Sequence, residues 1–182
     1  IYGETGTGKN LIAQALHACG PRQARPFVAV NCAAVESDVL EAALFGPTPP
    51  DQRPAIERAD GGTLCLENIE ALQPSLQARL ASELVADDDP EAAYSIRNLR
   101  VISISSEIES PNTPPPEMRE DLFFRLTAHY VHTPPLRDRG EDILLLFNRF
   151  CARFAEDYGC EPPEISANDA ALLIQARWPG NI

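Results

Sequence analysis

The sequence predicts an α/β fold: a parallel sheet sandwiched by helices, followed by the start of a small C-terminal helical lid. Two observations carry this expectation. Ile1 and Tyr2 run into the glycine-rich segment GETGTGK and then into an apolar-periodic stretch over residues 10–18, which reads as a strand end, a loop and a helix start. Short β-branched apolar runs then alternate with helical patterns, as in parallel strands joined by crossover helices, where ligands are expected at the carboxyl ends of the strands.

The spacing G-x-x-x-x-G-K fits a phosphate-binding loop. Gly3, Gly6 and Gly8 permit a backbone that side chains would obstruct, so successive N–H groups can point inward at a phosphate, and Lys9 supplies charge for the outer phosphates. The bland alternative is a glycine-rich turn capping an ordinary helix; the lysine in register and the helix that follows favour the phosphate loop. The generic pattern ends in Ser or Thr for magnesium, and this chain has Asn10, whose amide can reach a metal-bound water more weakly.

The first helix is expected to run to about Cys19, burying Leu11, Ile12, Ala15, Leu16 and Ala18, before Gly20 and Pro21 end it. Residues 26–31 suit an interior parallel strand with Asn31 at its end, beside the phosphate loop. Ser37 can cap a helix through Phe45, and PTPPDQRPA after Gly46 reads as an exposed loop. Residues 64–69 read as a second buried strand ending in Glu67 and Asn68, with a helix over 74–85 before the acidic break Asp87, Asp88, Asp89, Pro90. Residues 100–105 form a third buried strand, and residues 111–116 a second proline-rich loop. After Pro134 and Pro135 the chain is expected to leave the sheet, with helical spacing in LRDRGEDILLLFNRFCARF and again over 166–176. The resulting division is a core over 1–133 and a partial lid over 134–182.

Composition narrows the function classes. With 182 residues, 44% of them apolar, the chain can bury one core and a small appendage. A formal charge of -12, with only 15 Lys and Arg, argues against a broad nucleic-acid surface, so any DNA contact is expected from a domain elsewhere. Cys19, Cys32, Cys65, Cys151 and Cys160 are odd in number and contain no C-x-x-C pair, which reads as reduced, packed thiols of a cytosolic protein. No apolar run approaches membrane-spanning length, so no membrane partner is expected. His17, His129 and His132 show no ligand or triad spacing and read as structural or surface residues. A start inside a strand and a stop at WPGNI read as a fragment of a larger protein.

GETGTGK, PFVAVNCAA, ADGGTL, REDLFFRL, PPLRDRGEDI and WPGN occur in one order along the chain. On these motifs it resembles the central ATPase domain of bacterial enhancer-binding proteins, the NtrC-like activators of sigma-54 RNA polymerase within the AAA+ superfamily. The resemblance implies ATP or ADP with Mg2+ as ligands, a homo-oligomeric ring that is usually a hexamer, RNA polymerase holoenzyme as the remodelled partner, and a cytoplasmic location. It implies Gly3, Glu4, Thr5, Gly6, Thr7, Gly8 and Lys9 as Walker A, residues 64–68 as the Walker B strand, and Asn31 as the partner of the catalytic glutamate. Ser105 and Ser106 fall at the sensor I position, and Arg119 and Arg125 at the arginines that act in trans.

Three departures from the family pattern qualify these expectations. Where the family reads Leu-Asp-Glu, this chain reads Leu66, Glu67, Asn68. Glu67 keeps a carboxylate for magnesium, but its extra methylene displaces it by roughly an ångström, a shift that can cost about a hundredfold. Asn68 cannot accept a proton from the attacking water, which forfeits roughly 10²- to 10⁴-fold. Glu70 could substitute, but two residues further on it lies past the strand end. Binding is expected to survive through the loop and Lys9, while hydrolysis is not.

The second departure is the loop after Gly46, which lacks the apolar GAFTGA tip that family members press onto sigma-54 and is stiffened by prolines. The third concerns Arg119 and Arg125, which lie six apart, so that on one helix their stems diverge by about 120°. A solvated surface role is open to both. The reading is an ATP-binding module of a transcription regulator, impaired in hydrolysis and in sigma-54 contact. The alternatives are an active remodelling ATPase and a P-loop small-molecule kinase; the missing Ser or Thr after Lys9 and the presence of REDLFFRL count against the kinase.

Overall fold

The structure, a computed structural model, describes residues 1–47, 52–85 and 98–182. Most of the proline-rich loop after Gly46 and the acidic break at 87–90 lie outside the described residues. The chain forms two compact units, one of Ile1–Gly3 and Gly8–His132, the other of Glu4–Thr7 and Thr133–Ile182.

In the first unit, β1 (Phe27–Asn31), β2 (Thr63–Glu67) and β3 (Arg100–Ile104) form a parallel sheet in the order β1-β2-β3. Asn31 is level with Glu67, and Glu67 with Ile104, so the polar strand ends share one edge. Tyr2 extends this arrangement through parallel bridges to Ser105 and to His132. Leu64 and Leu66 of β2 face a core built with Leu40 and Leu44 of α2 (Ser37–Phe45), Ala55 of α3 (Ala55–Arg58), Leu76 and Leu80 of α4 (Pro74–Val85), and Phe123 of α5 (Glu120–Leu126). Cys65 lies on the opposite face, with Ala13 of α1 (Lys9–Ala18) and Ile102 and Ile104 of β3. The period-two alternation of a strand covered on both sides thus divides the core into two halves.

Several sequence expectations need correction. Helix α1 buries Lys9, Ala13 and His17, spaced at i, i+4 and i+8, while Leu11 is 70% exposed and Ala15 and Ala18 are exposed. The reason is that two polar residues have partners inside. Lys9 is turned inward by the loop, and the His17 ring meets the Thr63 hydroxyl through Nδ1 at 2.9 Å and lies 5.2 Å from the Phe27 ring. Ile12 and Leu16 are half-buried beside this stripe, Leu16 against the core, so a count of apolar residues, which cannot register polar partners, finds the stripe only in part. β1 is the outer strand of the described sheet, not an interior one, because it pairs only with β2; Ala29 is exposed and Val28 and Val30 are half-buried.

Ser37 is the first residue of α2 and not its cap; Glu36 holds that position, with no side-chain capping bond. Ala55, expected in the exposed loop, starts α3 and is fully buried against the core, with Pro54 as the residue before the first turn. The cysteines are free thiols, but only Cys32 and Cys65 are packed away, whereas Cys19 and Cys160 are exposed.

In the second unit, α6 (Asp142–Tyr158) packs against α7 (Ala167–Gln175). Gly159, at φ 64, ends α6 in the left-handed conformation that glycine adopts without steric cost. Ser166 opens α7 with a reciprocal capping box to Asp169: its hydroxyl accepts the Asp169 N–H at 3.2 Å and its own N–H reaches the Asp169 carboxylate at 3.1 Å.

Candidate functional site

The first unit contributes Lys9 and the strand ends. Gly8 precedes α1 at φ 89 and has no side chain to cap the helix start, the end at which a helix favours an anion. Lys9 is 7% exposed; its Nζ donates to the Gly3 carbonyl at 2.7 Å and to the Ser106 hydroxyl at 3.0 Å. Burial pushes the ammonium below the usual lysine range, and the nearby Glu70 charge opposes that shift. Ser106 in turn donates its backbone N–H to Glu70 Oε1 at 3.1 Å. One residue therefore joins the lysine to a carboxylate.

The two serines at the third strand's end divide the work. Ser105 is buried and its hydroxyl accepts the N–H groups of Glu107 and Ile108, both at 3.1 Å, which shapes the turn. Ser106, exposed, is the one that meets Lys9. Asn31 is also engaged locally, since its Oδ1 accepts the Ala33 N–H at 2.9 Å. Glu67 is half-buried at the end of β2, and Asn68 follows it, exposed, at φ 54, a left-handed conformation that asparagine tolerates better than most residues. Asn10 is exposed in the first turn of α1.

Glu70 lies past the strand end, as its position in the sequence implies, yet its side chain does not leave the neighbourhood of Lys9 and Ser106. A short 3-10 turn over Ile69–Ala71 follows Asn68 and turns the side chain back to the Ser106 N–H. Its second oxygen, Oε2, is closed to solvent and has no hydrogen-bond partner among the described residues.

The arginines differ from a shared-helix arrangement. Arg119 precedes α5 in an extended conformation, and its guanidinium forms a two-point pair with Asp121 at 3.1 and 2.8 Å. Arg125 lies in the last turn of α5 and lines a cavity with Leu84, Val101, Ser103 and His129. The Arg119 backbone is fixed by Gln77, which sequence reasoning missed. Buried in α4, Gln77 accepts the Arg119 N–H at 2.7 Å and donates to the carbonyls of Leu72 and Glu117 at 2.8 and 3.0 Å. The available signal was its spacing, four residues before buried Ala81.

The second unit holds the residues of the glycine-rich segment from 4 to 7. Asn181 of WPGN is their anchor: Nδ2 donates to the Thr5 carbonyl at 2.8 Å, and Oδ1 accepts the Leu136 N–H at 2.7 Å. Glu4 forms a two-point pair with Arg137, at 2.9 and 2.5 Å, and the Arg137 and Asn181 hydrogen bonds hold its carboxyl down at about 2. Thr7 shares a hydroxyl hydrogen bond with Thr133 at 2.9 Å. Gly6 passes so close to Gly180 that a Cβ there would stand 1.8 Å from the Gly180 carbonyl oxygen. The sequence marked WPGN as a motif but assigned Asn181 no task.

The profile of the family described as "Sigma-54 interaction domain" matches residues 1–132, and that of the "AAA+ ATPase lid domain" matches residues 137–182. Over its full length the chain is 37% identical to the HTH-type transcriptional regulatory protein TyrR of Salmonella typhimurium, of which it covers 36%. It is 38% identical to the C4-dicarboxylate transport transcriptional regulatory protein DctD of Rhizobium meliloti, of which it covers 42%. The chain thus spans well under half the length of these relatives. Crystal structures of NtrX from Brucella abortus in complex with ADP and with ATP superpose with TM-scores of 0.84 and 0.85, at 34% and 33% identity. Each match covers 99% of this chain, and 41% and 43% of NtrX respectively.

Proposed function

This chain belongs to the sigma-54 interaction family of AAA+ ATPase domains, and on that premise we propose that it binds ATP and ADP with Mg2+ as the nucleotide module of a cytoplasmic bacterial transcription regulator. Hydrolysis is slow, sigma-54 is not engaged, and regulation runs through nucleotide-dependent assembly into a homo-oligomeric ring, a hexamer when complete. DNA is contacted by a domain outside this segment, and RNA polymerase holoenzyme is the partner class. The observation that carries the nucleotide reading is Lys9, buried and held beside Ser106 at the edge where the strands end.

The residues present fit a polyphosphate. Gly8 puts no side chain over the start of α1, and among Lys9's partners are a carbonyl and a hydroxyl, both weaker than a phosphate oxygen would be. Magnesium would be carried in by the phosphates and met by the Glu67 carboxylate, with Asn10 reaching a bound water. Bound magnesium supplies charge neutralisation at the phosphates. Lys9 binds, Ser106 orients Lys9, and Asn68 can position a water but cannot take its proton. Arg119 and Arg125 are assigned to a neighbouring subunit's nucleotide, Arg119 after exchange of its Asp121 partner.

The test is calorimetric titration of the full-length protein with Mg-ATP and Mg-ADP, wild type against Lys9→Ala. Binding by the wild type and its loss in the variant is the expected result. Equal affinities would refute the reading.

A further inference from the structure

Among the described residues, Glu70 is a charged group that acts on Lys9 and that the proposed chemistry leaves without a task. It follows Asn68 by two residues, and its carboxylate is fixed through Oε1 by the Ser106 N–H at 3.1 Å. The same Ser106 accepts Lys9 Nζ through its hydroxyl at 3.0 Å. Oε2 is closed to solvent and has no hydrogen-bond partner among the described residues. We propose that Glu70 is a specificity-determining residue of the nucleotide site, a fixed negative charge that offsets Lys9 and weakens binding of a γ-phosphate, so that the site favours the diphosphate over the triphosphate. This rests on the nucleotide-binding reading above.

In a phosphate loop the lysine reaches the β- and γ-phosphates, so Lys9 Nζ marks where the terminal phosphate charge collects. Ser106 bonds to both that nitrogen and the Glu70 carboxylate, and Glu70 acts electrostatically on Lys9, favouring the charged ammonium. A carboxylate that stabilises the cation in the empty site opposes each anion the cation is later asked to hold. The γ-phosphate adds more negative charge near this point than the β-phosphate of ADP, so the opposition is larger for ATP. A role as general base fits less well, because a base must touch the attacking water and Oε2 is sealed from solvent.

The charge is also hard to move aside. Glu70 sits in the short turn over Ile69–Ala71, anchored by fully buried Ile69, and the Ser106 N–H holds the carboxylate from the neighbouring strand end. Ser106 is exposed, so water could replace that bond, and the buried Ile69 is the firmer restraint. The penalty therefore persists when nucleotide arrives.

The experiment titrates the full-length protein with Mg-ATP and with Mg-ADP, in wild type, Glu70→Gln and Glu70→Asp, with turnover measured alongside. Glu70→Gln keeps an acceptor for Ser106 and removes the charge; ATP affinity is expected to rise about tenfold, with ADP affinity changing about twofold or less. Glu70→Asp keeps the charge and is expected to keep the wild-type preference for ADP. Equal changes for both nucleotides in Glu70→Gln, or none, would overturn the proposal. So would loss of turnover at unchanged affinities, which identifies a base. A folded wild type that binds neither nucleotide removes the nucleotide reading itself, a result distinct from a binding site without discrimination.

Discussion

Asn181 holds Thr5 by its backbone: the side-chain amide donates to the Thr5 carbonyl at 2.8 Å, across 176 residues of sequence. The other end of the same amide accepts the buried Leu136 N–H at 2.7 Å, and the residue sits at φ 65. Asn181→Ala is expected to destabilise the protein by about 1–3 kcal/mol, since a buried N–H is left unpaired. Asn181→Gly relieves any left-handed strain and is expected to fall by a similar amount, because the amide is still lost. Urea denaturation midpoints measure both; an unchanged midpoint in the glycine variant would assign the effect to backbone strain.

Turnover is expected to be slow in the wild type and partly restored by Glu67→Asp combined with Asn68→Glu. The exchange shortens one carboxylate and supplies a proton acceptor. A cost accompanies it: Asn68 sits at φ 54, where Glu is strained by about 1–2 kcal/mol, so the double variant is expected to melt earlier while turning over faster. Steady-state phosphate release and a thermal melt read the two effects. Wild-type turnover already at the rate of its restored variant would refute the account.

Activation of sigma-54 polymerase is not expected. A ring remodels a partner only through a loop that touches it, and the sequence after Gly46 offers proline and polar residues where an apolar tip is required. The protein is expected to act on another holoenzyme form or as a repressor. ATP-dependent open-complex formation with purified sigma-54 holoenzyme would contradict this.

Acid is expected to remove the Glu4–Arg137 contribution. The folded carboxyl is held at about 2, against an ordinary value of 4.5. A depressed carboxylate stabilises the fold above its unfolded value and loses that contribution as pH falls from about 4.5 toward 2. The gap in denaturation midpoint between wild type and Glu4→Gln is therefore expected to be open at pH 6 and to narrow on acidification through that window. Both partners are partly exposed, so the gap is also expected to shrink in high salt. A gap independent of pH would show that the charge of Glu4 is not what stabilises.

The strand and helix pattern was legible because local chemistry carries it. Thr63–Glu67 carries apolar Leu64, Cys65 and Leu66 after a double glycine, α4 starts at Pro74, and α7 announces itself through Ser166 and Asp169 three apart. The partly misplaced face of α1 had a different origin. Its phase is set by partners distant in sequence, Thr63 and Phe27 for His17 and Ser106 for Lys9, and these make polar residues the buried ones.

The sequence by itself determined the chemistry available: a glycine loop ending in Lys9, and an amide at Asn68 that no fold can turn into a base near neutral pH. Only the tertiary structure decided which of the remaining polar groups converge. Glu70 lies beyond its strand in sequence, yet a single 3-10 turn brings its carboxylate back to Ser106, 36 positions away. Gln77 and Asn181 acquire their tasks in the same way, through backbone groups 42 and 45 positions distant. Spacing along a chain specifies which side chains share a helix face or a strand edge. The direction a side chain takes after a turn is set by what the rest of the fold has already buried around it.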